Sequence, residues 1–224
     1  MTRRRGFSLI EMAFVLVIVT LLLGGLLVPF ATQVEQRRIT ETQKGMEEIK
    51  EALIGYAIAK GRLPCPAKSA IDGTEQDPPC ANIGFLPWGS LGVSKLDAWG
   101  HLYRYVVTSQ FADANTLFVL GTPTTLTIQT RNSAGGLINL SSSNALPVVI
   151  ISHGKNGYGG TNDDGSAVVA AMSADEVTNA TGSNNFVSRT ITAPGAGLAE
   201  FDDLVTWLSP NILFNRMVAA GKLP

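Results

Sequence analysis

The chain has 224 residues and a mass of 23.7 kDa, with 45% hydrophobic and only 16% charged residues, against roughly 25% charged in an average soluble domain. That balance excludes a disordered or highly charged tail, and the length suffices for one or two domains with a core of their own. A net charge of −1 and a pI near 6.1 leave no cationic field for a polyanion, so nucleic acid is not an expected partner.

Residues 7–30 read FSLIEMAFVLVIVTLLLGGLLVPF and follow the cationic leader MTRRRG. About 20 apolar residues rising ~1.5 Å each cross a hydrocarbon core of roughly 30 Å, so a membrane-spanning helix is predicted here. Arg3, Arg4 and Arg5 hold the N-terminus in the cytoplasm and put the rest of the chain outside. The apolar run is too long for a removable secretory signal. Glu11 is the anomaly, because an acid in a span costs about 2.5–3.5 kcal/mol and calls for a partner. It either snorkels to the interface or pairs with a cation from another copy.

Beyond Phe30 the chain turns polar, and Ile39, Thr42, Met46, Ile49, Leu53 and Tyr56 recur at spacings of three and four, the stripe of an amphipathic helix. Lys44, Glu47, Lys50 and Glu51 form its solvated face. The helix is predicted to run from the span to about Lys60, where Gly61 and Pro64 end it. That makes about 54 residues, or roughly 80 Å, with a kink expected over 24–29 at Gly24, Gly25 and Pro29.

Cys65 and Cys80 lie in one Pro-rich stretch and, with the distant His101 and His153, supply no zinc framework. They read as one local disulfide or as two separate thiols. The outside topology selects the disulfide, which for a loop of this size contributes about 3 kcal/mol in chain-entropy models. Strand-like runs follow at Tyr103–Thr108, Thr116–Leu120, Leu126–Thr130, Pro147–Ser152, Ala167–Met172 and Val187–Thr192. They predict an antiparallel sheet packed on the second half of the long helix, with the polar tract Thr178–Asn185 as a loop. Asp202 and Asp203 precede LVTWLS, read as a turn before a strand or short helix. Ser209 and Pro210 open a final helix that runs to Gly221.

Gly6-Phe7-Ser8-Leu9-Ile10-Glu11, after a basic leader and before an unbroken apolar helix, resembles the processing motif of type IV pilins and type II secretion pseudopilins. The resemblance implies that a prepilin peptidase cuts after Gly6, that Phe7 becomes the N-methylated first residue, and that Glu11 neutralises the amino terminus of an adjacent subunit during assembly. Pro29 falls one residue later than the helix-loosening proline of many members. Loss of Arg3, Arg4 and Arg5 leaves 14 basic residues against 18 acidic ones.

Two strings in the head favour a pseudopilin of a type II secretion system, while a head longer than a compact major pseudopilin needs favours a minor pilin of a type IV pilus. Asp97-Ala98-Trp99-Gly100-His101-Leu102-Tyr103-Arg104-Tyr105 is similar to the Asp-x-Trp-Gly-Asn-Pro-Tyr-x-Tyr segment of major pseudopilins, and its aromatic residues are expected to pack in the core. Residues 152–164, SHGKNGYGGTNDD, look like the glycine loop and acidic cluster that hold a structural calcium there. Carried over, His153 offers its carbonyl, Asn156 replaces an aspartate ligand, and Asp163 and Asp164 are carboxylate ligands. Asn156 withdraws a charge and Lys155 adds an opposing one, which lowers the expected affinity. A metal-free turn is the other reading of the same residues.

The motifs of catalysis fail on spacing. Gly154-Lys155 lacks the phosphate-loop pattern, Asp163-Asp164-Gly165 lacks the EF-hand pattern, and the neighbours Ser152 and His153 point to opposite faces of a strand. The expectation is therefore an α+β, pilin-like protein that is not an enzyme. Its leader is 1–6, its transmembrane and polymerisation helix 7–30, its amphipathic helix 31–62, and its β-rich head with a C-terminal helix 63–224. The implied partners are the prepilin peptidase, other pilin or pseudopilin subunits and the assembly platform of a bacterial inner membrane, with the head in the periplasm before incorporation into a pilus or pseudopilus. The competing reading is a membrane-anchored periplasmic enzyme or ligand-binding domain.

Overall fold

The computed structural model describes residues 7–182, 184–193, 195 and 199–223, with the backbone alone for 23–29. The chain divides into two units, Met1–Thr40 and Glu41–Pro224. One helix, α1, has bounds Leu9–Lys60 and is assigned continuously through the stretch where the sequence predicts a kink. It ends as expected: Gly61 adopts φ 77° and its N–H donates to Ala57 O at 2.7 Å, closing the last turn as only a residue free of Cβ strain does easily.

In the first unit the described apolar side chains from Phe7 to Leu22 are exposed around the whole helix. Among the described residues no helix is long and apolar enough to cross a membrane. The span expected over 7–30 includes 23–29, whose side chains lie outside the description. In the second unit the predicted stripe is buried at Thr42, Met46, Ile49 and Leu53, with Ala57 continuing it. Lys44 pairs with Glu48, and Lys50 with Glu47, on the solvated side.

The head is built on β1 (Ile83–Phe85), α2 (Trp88–Leu91), β2 (Arg104–Val107), α3 (Ser109–Ala112), β3 (Thr127–Arg131), β4 (Leu137–Asn139), β5 (Val148–Ser152), α4 (Ala174–Thr181), β6 (Asn185–Val187), β7 (Leu204–Leu208) and α5 (Pro210–Ala219). A four-stranded antiparallel sheet has the order β1-β2-β5-β7. Beside it β4-β3-β6 forms a second sheet in which β3 and β6 run parallel, which departs from the single antiparallel sheet expected. Val106, Val149 and Ile151 of the first sheet meet Ile128 and Phe186 of the second, with Leu126 and Leu146 completing the core. The central strand β5 is buried at every position, which is why it reads as an unbroken apolar run. On the other face Tyr105 is buried and donates to Pro64 O at 3.0 Å, tying the sheet to the segment that follows α1.

That segment is also held covalently by a Cys65–Cys80 disulfide with a Cα–Cα distance of 5.9 Å. Glu75 reaches across the loop it closes, accepting from Arg62 at 2.8 and 3.0 Å, from Cys65 N at 3.1 Å and from the Tyr56 hydroxyl.

Four expected elements differ. Thr116–Leu120 is a loop: Phe118 alone is buried, stacked 4.8 Å from Phe111, while Leu117, Val119 and Leu120 are exposed. Its β-prone residues find no strand partner and serve as a plug with one anchor. Ala167–Met172 makes a bridge at Ala167 and two backbone bonds to the glycine loop, through Val168 N and Val169 O, but no ladder. The tract Thr178–Asn185 begins inside α4, whose N-cap Ser173 accepts from Glu176 N, so a capped helix overrides the loop composition. The strand expected at Val187–Thr192 lies earlier, as β6, and LVTWLS resolves as β7. The final helix starts at Pro210 after Ser209 as expected and buries Leu213 and Met217.

Candidate functional site

The two strings of the head, far apart in sequence, fold against each other. Asp97 is the hinge of this contact, buried with Oδ1 accepting from the backbones of Trp99 at 3.0 Å and His101 at 2.9 Å. Its Oδ2 accepts from the Ser152 hydroxyl at 2.5 Å, at the end of β5 where the glycine loop begins. His101 Nδ1 lies 3.1 Å from Gly154 O, and Leu102 N donates to Thr161 O at 2.9 Å. A Cβ on Gly157, which sits at φ 66°, would approach the His101 ring to 2.5 Å, so the loop passes over the imidazole only because residue 157 is glycine.

From this seat the loop reaches a cluster of acids contributed by α4 and the approach to β7. Asn156 N donates to Asp202 Oδ2 at 2.7 Å, and Glu176 Oε1 accepts from Asp202 N at 3.3 Å and from Asn156 Nδ2 at 3.4 Å. Burial pushes the Asp202 carboxyl up to about 7; the Asn156 N–H opposes this, and the nearby Asp203, Glu176 and Glu200 add to it. Glu176 is raised by the same burial and by Asp203. His153 Nδ1 stands 3.3 Å from Asp203 Oδ1, yet neither atom makes a hydrogen bond. Asp203 is held through Oδ2 by Asn179 Nδ2 at 2.8 Å. Next along α4, burial would raise Asp175, but its bonds to Arg131 and Arg189 at 2.6–3.0 Å outweigh this and hold it below the ordinary carboxylate range.

The residues matched to calcium ligands have other partners. His153 O accepts from Gly157 N, Asn156 Oδ1 from Tyr158 N at 2.8 Å, and Asp164 Oδ1 from Ser166 N and its hydroxyl at 2.8 and 2.6 Å. Asp163 is paired with Lys95, whose ammonium also donates to the Asp163 carbonyl at 2.8 Å. His153 and Asn156 lie with the buried acids, whereas Asp163 and Asp164 lie in the exposed turn beyond. Among the described residues no three His, Cys, Asp or Glu side chains are arranged to hold a metal ion.

At the other end of the chain Ser8 and Glu11 bond each other reciprocally. Ser8 N donates to Glu11 Oε2 at 2.8 Å and Glu11 N donates to Ser8 Oγ at 3.3 Å. This is a capping box, in which serine at the N-cap and glutamate three residues on satisfy two of the orphan amides at a helix start. The glutamate charge also sits at the positive end of the helix dipole. Phe7 is 82% exposed and Leu9 93%. Gly6 lies outside the described residues.

Residues 1–27 match the family model of the prokaryotic N-terminal methylation motif. The chain carries that motif, the hallmark of type IV pilins and pseudopilins. Neither curated proteins nor solved structures match the chain. The methylation motif thus covers the leader, the helix start and most of the apolar run, and it supports a pilin-like or pseudopilin precursor that is processed by a peptidase and assembles with other pilin subunits.

Within the motif the box was written in the sequence as Ser8-x-x-Glu11, a helix-start pattern that the membrane argument alone passes over. The buried acid cluster had no such signal. Glu176 is remote from Asp202 in sequence, and only the docking of α4 beside β7 brings them together.

Proposed function

We propose that this protein is a structural subunit of a type II secretion pseudopilus or type IV pilus, cleaved after Gly6 and assembled through its apolar N-terminal helix. The observation that carries this is the methylation motif, set on the first part of a helix whose described apolar side chains from Phe7 to Leu22 are exposed on all sides. A helix apolar all round is stable only in lipid or within a bundle of other apolar helices. The precursor therefore resides in the inner membrane with its head in the periplasm, and the filament core replaces the bilayer as the environment of the same surface.

Glu11 has a defined part in that exchange. The capping box satisfies hydrogen bonding but supplies no counter-charge, and a carboxylate in apolar surroundings needs one. Cleavage after Gly6 creates a cationic amine on Phe7, and the amine of a neighbouring subunit supplies the charge. Glu11 is held at the helix start by Ser8, so the acceptor is oriented before the neighbour arrives. At least one oxygen of each residue matched to a calcium ligand is engaged by a protein donor.

Mass spectrometry on protein from a host with and without its prepilin peptidase tests the reading. The expected result is a chain starting at N-methylated Phe7 only when the peptidase is present. A chain that keeps Arg3–Arg5 in both hosts would refute it and favour an anchored enzyme or binding domain.

A further inference from the structure

Among the described residues, the head has one part-buried arginine without an acid partner. Of its five arginines, Arg62 pairs with Glu75, Arg131 and Arg189 share Asp175, and Arg216 pairs with Glu51. Arg104 forms no ion pair among the described residues, and burial alone displaces its proton affinity, downward. Its Nε is shut off from solvent without an acceptor, and its Nη2 reaches Gly182 O at 3.4 Å, beyond the end of α4.

Arg104 lines a pocket of about 260 Å³ whose walls include Phe85, Leu102, His153 and the glycine-loop residues Gly160 and Thr161. The space admits several waters, enough for a short-chain carboxylate. The loop is closely packed at this wall: a Cβ on Gly160 would meet Gly157 O at 2.9 Å and the His153 side chain at 3.1 Å. The guanidinium is part-buried with no counter-charge among the described residues, and its planar fork matches a carboxylate through two parallel N–H donors. One long bond to a carbonyl at a helix end uses little of that capacity.

We propose that Arg104 anchors a carboxylate-binding pocket roofed by the glycine loop. The carboxylate comes from a small organic acid or from an acidic side chain of a second copy, of which the chain carries 18. The inference does not depend on the filament reading, and Arg104 belongs to neither the processing motif nor the assembly helix.

The test follows the arginine Nε–H resonances of the full chain in detergent micelles, with the Arg104 signal assigned by its loss in Arg104→Gln. Sodium acetate and sodium succinate are titrated, with sodium chloride as the ionic-strength control. A small-acid site gives a saturable shift of the Arg104 resonance alone, absent with chloride. A site filled by a second copy shifts the same resonance as protein concentration rises without added acid, and acetate reverses that shift. Arg104→Lys, which keeps the charge and loses the fork, should weaken acetate binding by about tenfold or more, and it replaces the glutamine variant if that one fails to fold. If neither the acids up to ~10 mM, well beyond a millimolar Kd, nor protein concentration moves the resonance, the proposal fails and Arg104 serves α4 alone.

Discussion

Replacing Asp202 by asparagine should stabilise the head at alkaline pH. Asp202 titrates near 7 in the folded chain against an ordinary value of 3.8. Between those values the folded chain holds a proton that the unfolded chain has released, so stability is full below about pH 4 and falls as pH rises toward 7. A rise of about three in pKa, at about 1.4 kcal/mol each, sets a ceiling of about 4 kcal/mol. Solvent reaching this half-buried side chain reduces the expected effect to about 1–2 kcal/mol. Glu176, also raised, adds in the same direction. Asparagine keeps an oxygen for the 2.7 Å bond from Asn156 N and removes the charge that Asp203, Glu176 and Glu200 repel. Thermal unfolding of the full chain in micelles, followed by near-ultraviolet circular dichroism, should show Asp202→Asn about 2–8 °C above the wild type at pH 8, with the gap closing toward pH 4. A wild-type head more stable at pH 8 than at pH 5, or a variant with an unchanged pH slope, would refute the reasoning.

The helix start separates charge from hydrogen bonding. Glu11→Gln keeps an oxygen that can accept from Ser8 N but loses the charge, so cleavage after Gly6 should persist while assembly, read by filament yield and crosslinking, collapses. Ser8→Ala keeps the charge and loses one bond of the box; it should cost about 1 kcal/mol of local helix stability, seen as faster amide exchange over Leu9–Met12, and leave filaments forming. The double variant Cys65→Ser, Cys80→Ser removes a cross-link of sequence separation 15 and should lose about 3 kcal/mol in urea unfolding. Asp97→Ala orphans two backbone amides and the buried Ser152 hydroxyl and should cost at least about 3 kcal/mol, with proteolysis appearing first within residues 153–160. Loss of the same stability without any change in that loop would show that the two strings are not mechanically joined.

Local signals decided much of the architecture. The amphipathic stripe of α1 repeats with the helical period, the end of α1 is marked by Gly61 and Pro64, α5 opens on Ser209-Pro210, and the apolar runs of β2 and β5 match their buried strands. The methylation motif is likewise contiguous, which is why it is legible in residues 1–27 alone. What depends on distant partners was not legible. Thr116–Leu120 has strand composition but no neighbour to hydrogen-bond, and it folds as a loop around Phe118. The short strands β1 and β4 exist because β2 and β3 offer them edges, and β3 runs parallel to β6 only because the intervening chain crosses over. The carboxyls of Glu176 and Asp202 are ordinary helix-start and turn residues in the sequence, and Arg104 is one arginine among several. Their unusual electrostatics arise from desolvation and proximity, which are properties of the packed head, whereas period, cap and cleavage motif are carried by neighbours along the chain.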